Sequence, residues 1–262
     1  MNRKLRSTIL GCKLNGLPRT WERTHRERFC GLANYPPTGS MEGWRSNDVH
    51  ESSALIALAH LGYASEIEEI IEAGCDVFLD FFVGEWRDKD NYPVHKKWFS
   101  NYKLGLLIAM AANRWDDIRM VSDKIESSFP VDYHGSDDNL DPVTFDIYKR
   151  IASKTRTKPF PRLPAFGKLI AKCTTKRGEH LVRMCEAIEN ADEAYFLSSL
   201  KDSLSCLLRS GLGGPISLCW IAIEESTLCM LAHYLGVLVA SLEETLTEKQ
   251  IATILTPETI RT

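Results

Sequence analysis

The chain has 262 residues, with 32 Lys and Arg against 35 Asp and Glu for a net charge of −3, and it is 44% hydrophobic, 26% charged and 9% aromatic. This is ordinary globular composition, in a chain long enough to bury a core without disulfides or metals, and it argues against a disordered class. The apolar run Ile216 to Ile223 stops at Glu224 and Glu225, and no run approaches the roughly 18 apolar residues of a bilayer span, so no membrane segment is expected.

Residues 1 to 28 carry eight basic and two acidic side chains, and Gly31 to Gly43 is rich in Pro, Gly, Ser and Thr, so residues 1–46 read as a basic arm and loop. Ile9-Leu10-Gly11-Cys12 resembles a bacterial lipoprotein cleavage box. The apolar stretch before it spans only about three residues, against roughly 7 to 15 in a signal peptide. From Ser53 to about Leu255 the apolar residues recur at helical period, which marks 47–262 as a single all-α domain.

The first predicted helix is Ala54 to Leu61, almost wholly apolar. Gly62-Tyr63 ends it, and a second helix follows with Ile67, Ile70, Ile71, Val77, Phe78 and Phe81 on one face and Glu66, Glu68, Glu69 and Glu72 on the other. Ser65 and Glu68 have capping-box spacing. Tyr102 to Ala112 repeats the apolar helix, Asn113 is the expected cap, and Trp115, Ile118, Val121 and Ile125 oppose Asp116, Asp117, Asp123 and Glu126. Asp141-Pro142 opens a short helix to about Ile151, and Thr155 to Pro164 reads as a loop. Leu181 to Ile188 then precedes Asn190, which with Glu193 has capping-box spacing, and Leu197, Leu200, Leu204, Leu207 and Leu208 line the next helix. A long helix is expected after Gly213-Gly214-Pro215, ending at Gly236, and Thr247 with Gln250 caps a last short one. The whole reads as about ten helices arranged as stacked helical hairpins in an irregular array, because such a hairpin cannot bury its apolar stripe alone.

Candidate sites are few. From Lys149 to Arg177 there are ten basic residues and no acid, making Lys154, Arg156, Lys158 and Arg162 a candidate polyanion surface. Aromatics for base stacking are scarce there, so nucleic acid is not the expected partner. From Asp116 to Asp146 nine acids face two bases, and Asp132, Asp137, Asp138 and Asp141 form a candidate surface for a basic partner. Trp86, Tyr92 and Trp98 flank a polar loop as candidate interface anchors. Eight Cys stand singly with no Cys-x-x-Cys, which suits a reduced, cytoplasmic setting. Neither His25 with Cys30 nor the acidic loop around Asp132 has the ligand spacing of a zinc or calcium site, and Asp116, Asp117 and Asp123 lack the further Asp of a magnesium helix. No nucleophile elbow and no phosphate loop is present, so no catalytic residue, metal or cofactor is assigned. Glu224 and Glu225 interrupt an otherwise apolar helix, and a buried pair of this kind is expected to find an Arg or a backbone amide.

The stretch Ala194 to Gly236, AYFLSSLKDSLSCLLRSGLGGPISLCWIAIEESTLCMLAHYLG, resembles the C-terminal signature of the immunity protein 49 family of bacterial polymorphic-toxin systems, with Asn101 to Ile125 as the earlier hairpin. The resemblance spans Val49 to Gly236 and departs at the basic insertion Lys149 to Arg177. It implies a non-catalytic protein that neutralises a cognate toxin by stoichiometric binding, and the acidic region would suit a basic nuclease domain. The alternative is a helical-repeat scaffold or adaptor that binds a peptide or nucleic acid.

Overall fold

The computed structural model describes residues 8–10, 23–24, 41–61, 67–83, 97–126, 166–171, 173, 175–211 and 221–256. Every regular element among them is a helix and none is a strand. In chain order these are α1 (Met41–His60), α2 (Ile67–Val83), α3 (Lys97–Ala111), α4 (Trp115–Glu126), α5 (Phe166–Ile170), α6 (Lys176–Asn190), α7 (Glu193–Ser210), α8 (Ile223–Tyr234), α9 (Leu242–Thr245) and α10 (Glu248–Thr253). Among the described residues no helix is long and apolar enough to cross a membrane.

Helix α1 is central. Residues 51 to 60 are all buried, including Ser52, Ser53 and His60. Burial on every side demands that each polar group find a partner inside. The Ser52 and Ser53 hydroxyls donate to the Val49 carbonyl at 3.1 and 2.6 Å, and His60 Nε2 lies 3.0 Å from the Ala252 carbonyl oxygen of α10. Helices α2 and α3 pack on α1 and on each other, and α8 lies along α3. Helix α2 buries Ile70, Ile71, Cys75, Phe78 and Phe82 while exposing Glu68, Glu69, Glu72 and Asp76, the amphipathic split its sequence announces. Phe78, Phe82 and Tyr102 meet at centroid separations of 5.3 to 6.3 Å. The approach is close enough that a Cβ on Gly105 would stand 2.0 Å from the Phe78 ring.

Two hairpin turns share one geometry. After α3, Asn113 takes φ 61°, its N–H donates to Met110 O, and the Arg114 N–H reaches back to Ala109 O. After α6, Ala191 takes φ 54°, with Ala191 N–H to Ile188 O and Asp192 N–H to Ala187 O. Both are Schellman closures, which satisfy the last carbonyls and reverse the chain. Gly236, at φ 74°, closes α8 in the same way. The expected end of that helix is therefore where the sequence puts it. Thr247 and Gln250 form the full capping box on α10.

Several boundaries differ from the sequence reading. Helix α1 begins at Met41, so residues 41–46 belong to the helix rather than to a loop, and Leu10 of the arm is buried. Helix α3 begins at Lys97, five residues before Tyr102, and takes in Trp98. Asp192, not Asn190, caps α7 by accepting the Tyr195 N–H at 2.9 Å, because Asn190 completes the last turn of α6. Helix α8 starts at Ile223, so Glu224 and Glu225 open the helix instead of interrupting it. Carboxylates favour that place, where unpaired amides and the helix dipole are both positive. Ser65 and the helix expected from Asp141 to Ile151 lie outside the described residues.

Candidate functional site

Helix α8 meets the α3–α4 hairpin at two places that differ in chemistry, Lys103 of α3 pairing with Glu224 and Trp115 of α4 with Tyr234. The first is a buried charge cluster. Arg177, in the first turn of α6, donates from Nε to Glu225 Oε1 at 2.9 Å and from one Nη to Glu225 Oε2 at 2.8 Å and Glu224 Oε2 at 2.7 Å. Lys103 Nζ donates to Glu224 Oε1 at 3.2 Å, and the Ser203 hydroxyl donates to Glu225 Oε1 at 2.6 Å. Glu225 is 0% exposed. Two carboxylates and two cations balance, and every carboxylate oxygen has a donor. Burial alone would raise the Glu224 carboxyl, but Lys103 and Arg177 outweigh it and hold the pKa at about 2. Burial works against the Arg177 charge, yet the hydrogen bonds and charges of Glu225 and Glu224 push its pKa up. A closed, neutral network of this kind clamps α3, α6, α7 and α8 together.

The second place is a cleft of about 460 Å³ between the α3–α4 turn and the segment that follows α8. Its lining includes Met110, Trp115, Met230, His233, Tyr234 and Leu238, and Val239 stands at its edge with 78% of its surface exposed. The Trp115 and Tyr234 rings stack at 3.6 Å between centroids with planes 12° apart. Their polar handles are held: Trp115 Nε1–H donates to Asn113 Oδ1 at 2.6 Å, and Arg119 donates to the Tyr234 hydroxyl at 3.2 Å while also pairing with Asp116. His233 Nδ1 lies 3.2 Å from the Leu238 carbonyl oxygen. The Ala240 and Val239 amides donate to Glu193 Oε1, at 2.6 and 2.5 Å, and hold the Glu193 carboxyl below its usual range. Fixed aromatics, two thioethers and tethered backbone make a preformed apolar site with a few oriented polar groups.

Most of the residues singled out by sequence are not among those described. Asp132, Asp137, Asp138, Asp141, Trp86, Tyr92, Lys154, Arg156, Lys158 and Arg162 lie outside the described residues, and of this group only Trp98 is placed, in the first turn of α3. The end of the basic run is not a free surface, since Arg177 turns inward to the two glutamates and Lys176 pairs with Glu179 at 2.9 Å. Asp116 and Asp117 are engaged by Arg119 and Arg114, and Arg114 also reaches Asp76 at 2.9 Å. Among the described residues no three His, Cys, Asp or Glu gather as a metal site. Cys75, Cys173, Cys185, Cys206 and Cys229 form no disulfide, and burial pushes the Cys75 thiol up to about 12. The cleft has a weak signal in sequence, because Trp115 reads as an ordinary core position of α4 and Tyr234 lies 119 residues away.

No family model, no curated protein and no solved structure matches the chain.

Proposed function

We propose that the chain is a non-catalytic binding protein that holds a protein partner at the Trp115–Tyr234 cleft. The partner we infer is a cognate toxin, neutralised by stoichiometric binding, as the resemblance of Ala194 to Gly236 to the immunity protein 49 family implies. The observation that carries the binding reading is the cleft itself: an apolar, prebuilt hollow beside an exposed Val239, on a body where Glu224 and Glu225 are both held by Arg177. Aromatic and Met side chains in a rigid hollow are what interface hot spots use. The matching turns at Asn113 and Ala191 support reading the helices as stacked hairpins, each covering the apolar stripe of the next. A cytoplasmic location accords with the buried thiols of Cys75, Cys185 and Cys229, none of them in a disulfide.

Co-expression tests the reading. The product of the adjacent gene should arrest growth alone, lose that effect when this chain is present, and co-purify with it in a one-to-one complex. Growth arrest that this chain does not relieve would contradict the toxin reading. A helical scaffold that binds a peptide is the second reading, and the same cleft supports it.

A further inference from the structure

We infer that the cleft takes a basic partner segment in which one large apolar side chain, Leu, Met or aromatic, is flanked by Lys or Arg; this rests on the binding reading above. The hollow supplies the apolar half of the match. Its 460 Å³ falls within the range of about 300 to 1,000 Å³ seen for preformed sites, and Met110 and Met230 supply flexible, polarisable walls that adapt to an inserted side chain.

The rim supplies the other half. Asp116 adjoins Trp115 and is 90% exposed; Glu193 holds the Val239 and Ala240 amides; Glu243 and Glu244 follow Leu242 in α9 and are exposed. Of the described cations near these carboxylates, Arg119 is already bound to Asp116 and Tyr234, and Arg114 to Asp76 and Asp117. Among these described residues, the carboxylates beside the hollow outnumber the cations not already matched by their own carboxylate partners, so the rim is negative. Such a field attracts a basic segment and repels an acidic one, and the discrimination acts mainly on the association rate. Segments without an apolar anchor would leave the hollow unfilled and gain little.

The test uses the full chain and the fluorescein-labelled peptide Lys-Lys-Leu-Phe-Lys-Lys, read by anisotropy at low salt. Saturable binding is expected, weakened at least tenfold when Leu-Phe becomes Ala-Ala and at least tenfold when the four Lys become Glu. The double variant Val239→Lys with Glu244→Lys, both exposed and away from the core, should weaken the parent peptide at least tenfold while its circular dichroism is unchanged. No saturable binding up to millimolar peptide, equal binding of all three peptides, or full binding by the double variant would each overturn the proposal. The toxin reading is judged separately. A double variant that still protects cells and still co-purifies with the adjacent gene product leaves the stoichiometric inhibitor standing and removes the cleft as its contact.

Discussion

The two ends of α8, where it runs along the α3–α4 hairpin, solve opposite problems. At one end Lys103, Arg177 and Ser203 donate to all four carboxylate oxygens of Glu224 and Glu225, and the two charges of each sign balance. At the other end Trp115 and Tyr234 stack, Arg119 and Asn113 hold their polar atoms, and a hollow remains. Buried ions tolerate no missing partner, whereas an apolar hollow loses only dispersion contacts when it is empty. The rigid end therefore fixes the register of the helices, and the open end is the one to which the proposal assigns a partner.

This difference can be broken at its strong end first. Arg177→Met leaves Glu225 buried without its two charged hydrogen bonds and should cost about 3 to 5 kcal/mol, read as a lower urea midpoint. Adding Glu225→Gln to that variant should recover part of the loss, since the uncompensated charge is gone. Acid attacks the same cluster. The Glu224 pKa is lowered from 4.5 to about 2, so its contribution is complete above about pH 4.5 and is lost as the pH falls towards 2. The loss should amount to about 2 to 3 kcal/mol over that window, and Glu224→Gln should flatten the profile there. At the open end, Tyr234→Phe removes the acceptor of Arg119 and should cost only about 0.5 to 1.5 kcal/mol. Smallest of all, Ala191→Gly relieves a left-handed backbone at an exposed turn and should gain about 0.5 to 1 kcal/mol in thermal unfolding.

Much of the rigid end can be read in the sequence, and little of the open one. Two adjacent glutamates in an apolar stretch demand a buried cation, and Arg177 meets that demand. Which cation it is cannot be read, because Arg177 closes a run of ten basic residues and comes into place only when α6 packs on α8. Ser203 is silent for the same reason: along α7 the leucines mark the apolar stripe, yet Ser199 and Ser203 are buried in it, where small side chains allow close approach and one hydroxyl reaches Glu225. The start of α8 is misread because apolar period alone carries a helix back to Ile216, while the N-terminal preference of Glu224 and Glu225 places it at Ile223. Local signals fare better. Thr247 with Gln250 and the left-handed Gly236 act within a few residues of themselves, and both stand where their spacing puts them.

The division between the two ends is tested most directly by urea unfolding of the full chain, comparing Arg177→Met with the double variant Val239→Lys and Glu244→Lys. The rim residues are exposed and their double variant should stay within about 0.5 kcal/mol per site of the parent, while the Arg177 variant falls by several kcal/mol. A rim variant that loses as much stability as Arg177→Met would show that the cleft edge holds the fold together, and would contradict its assignment as a surface left free for a partner.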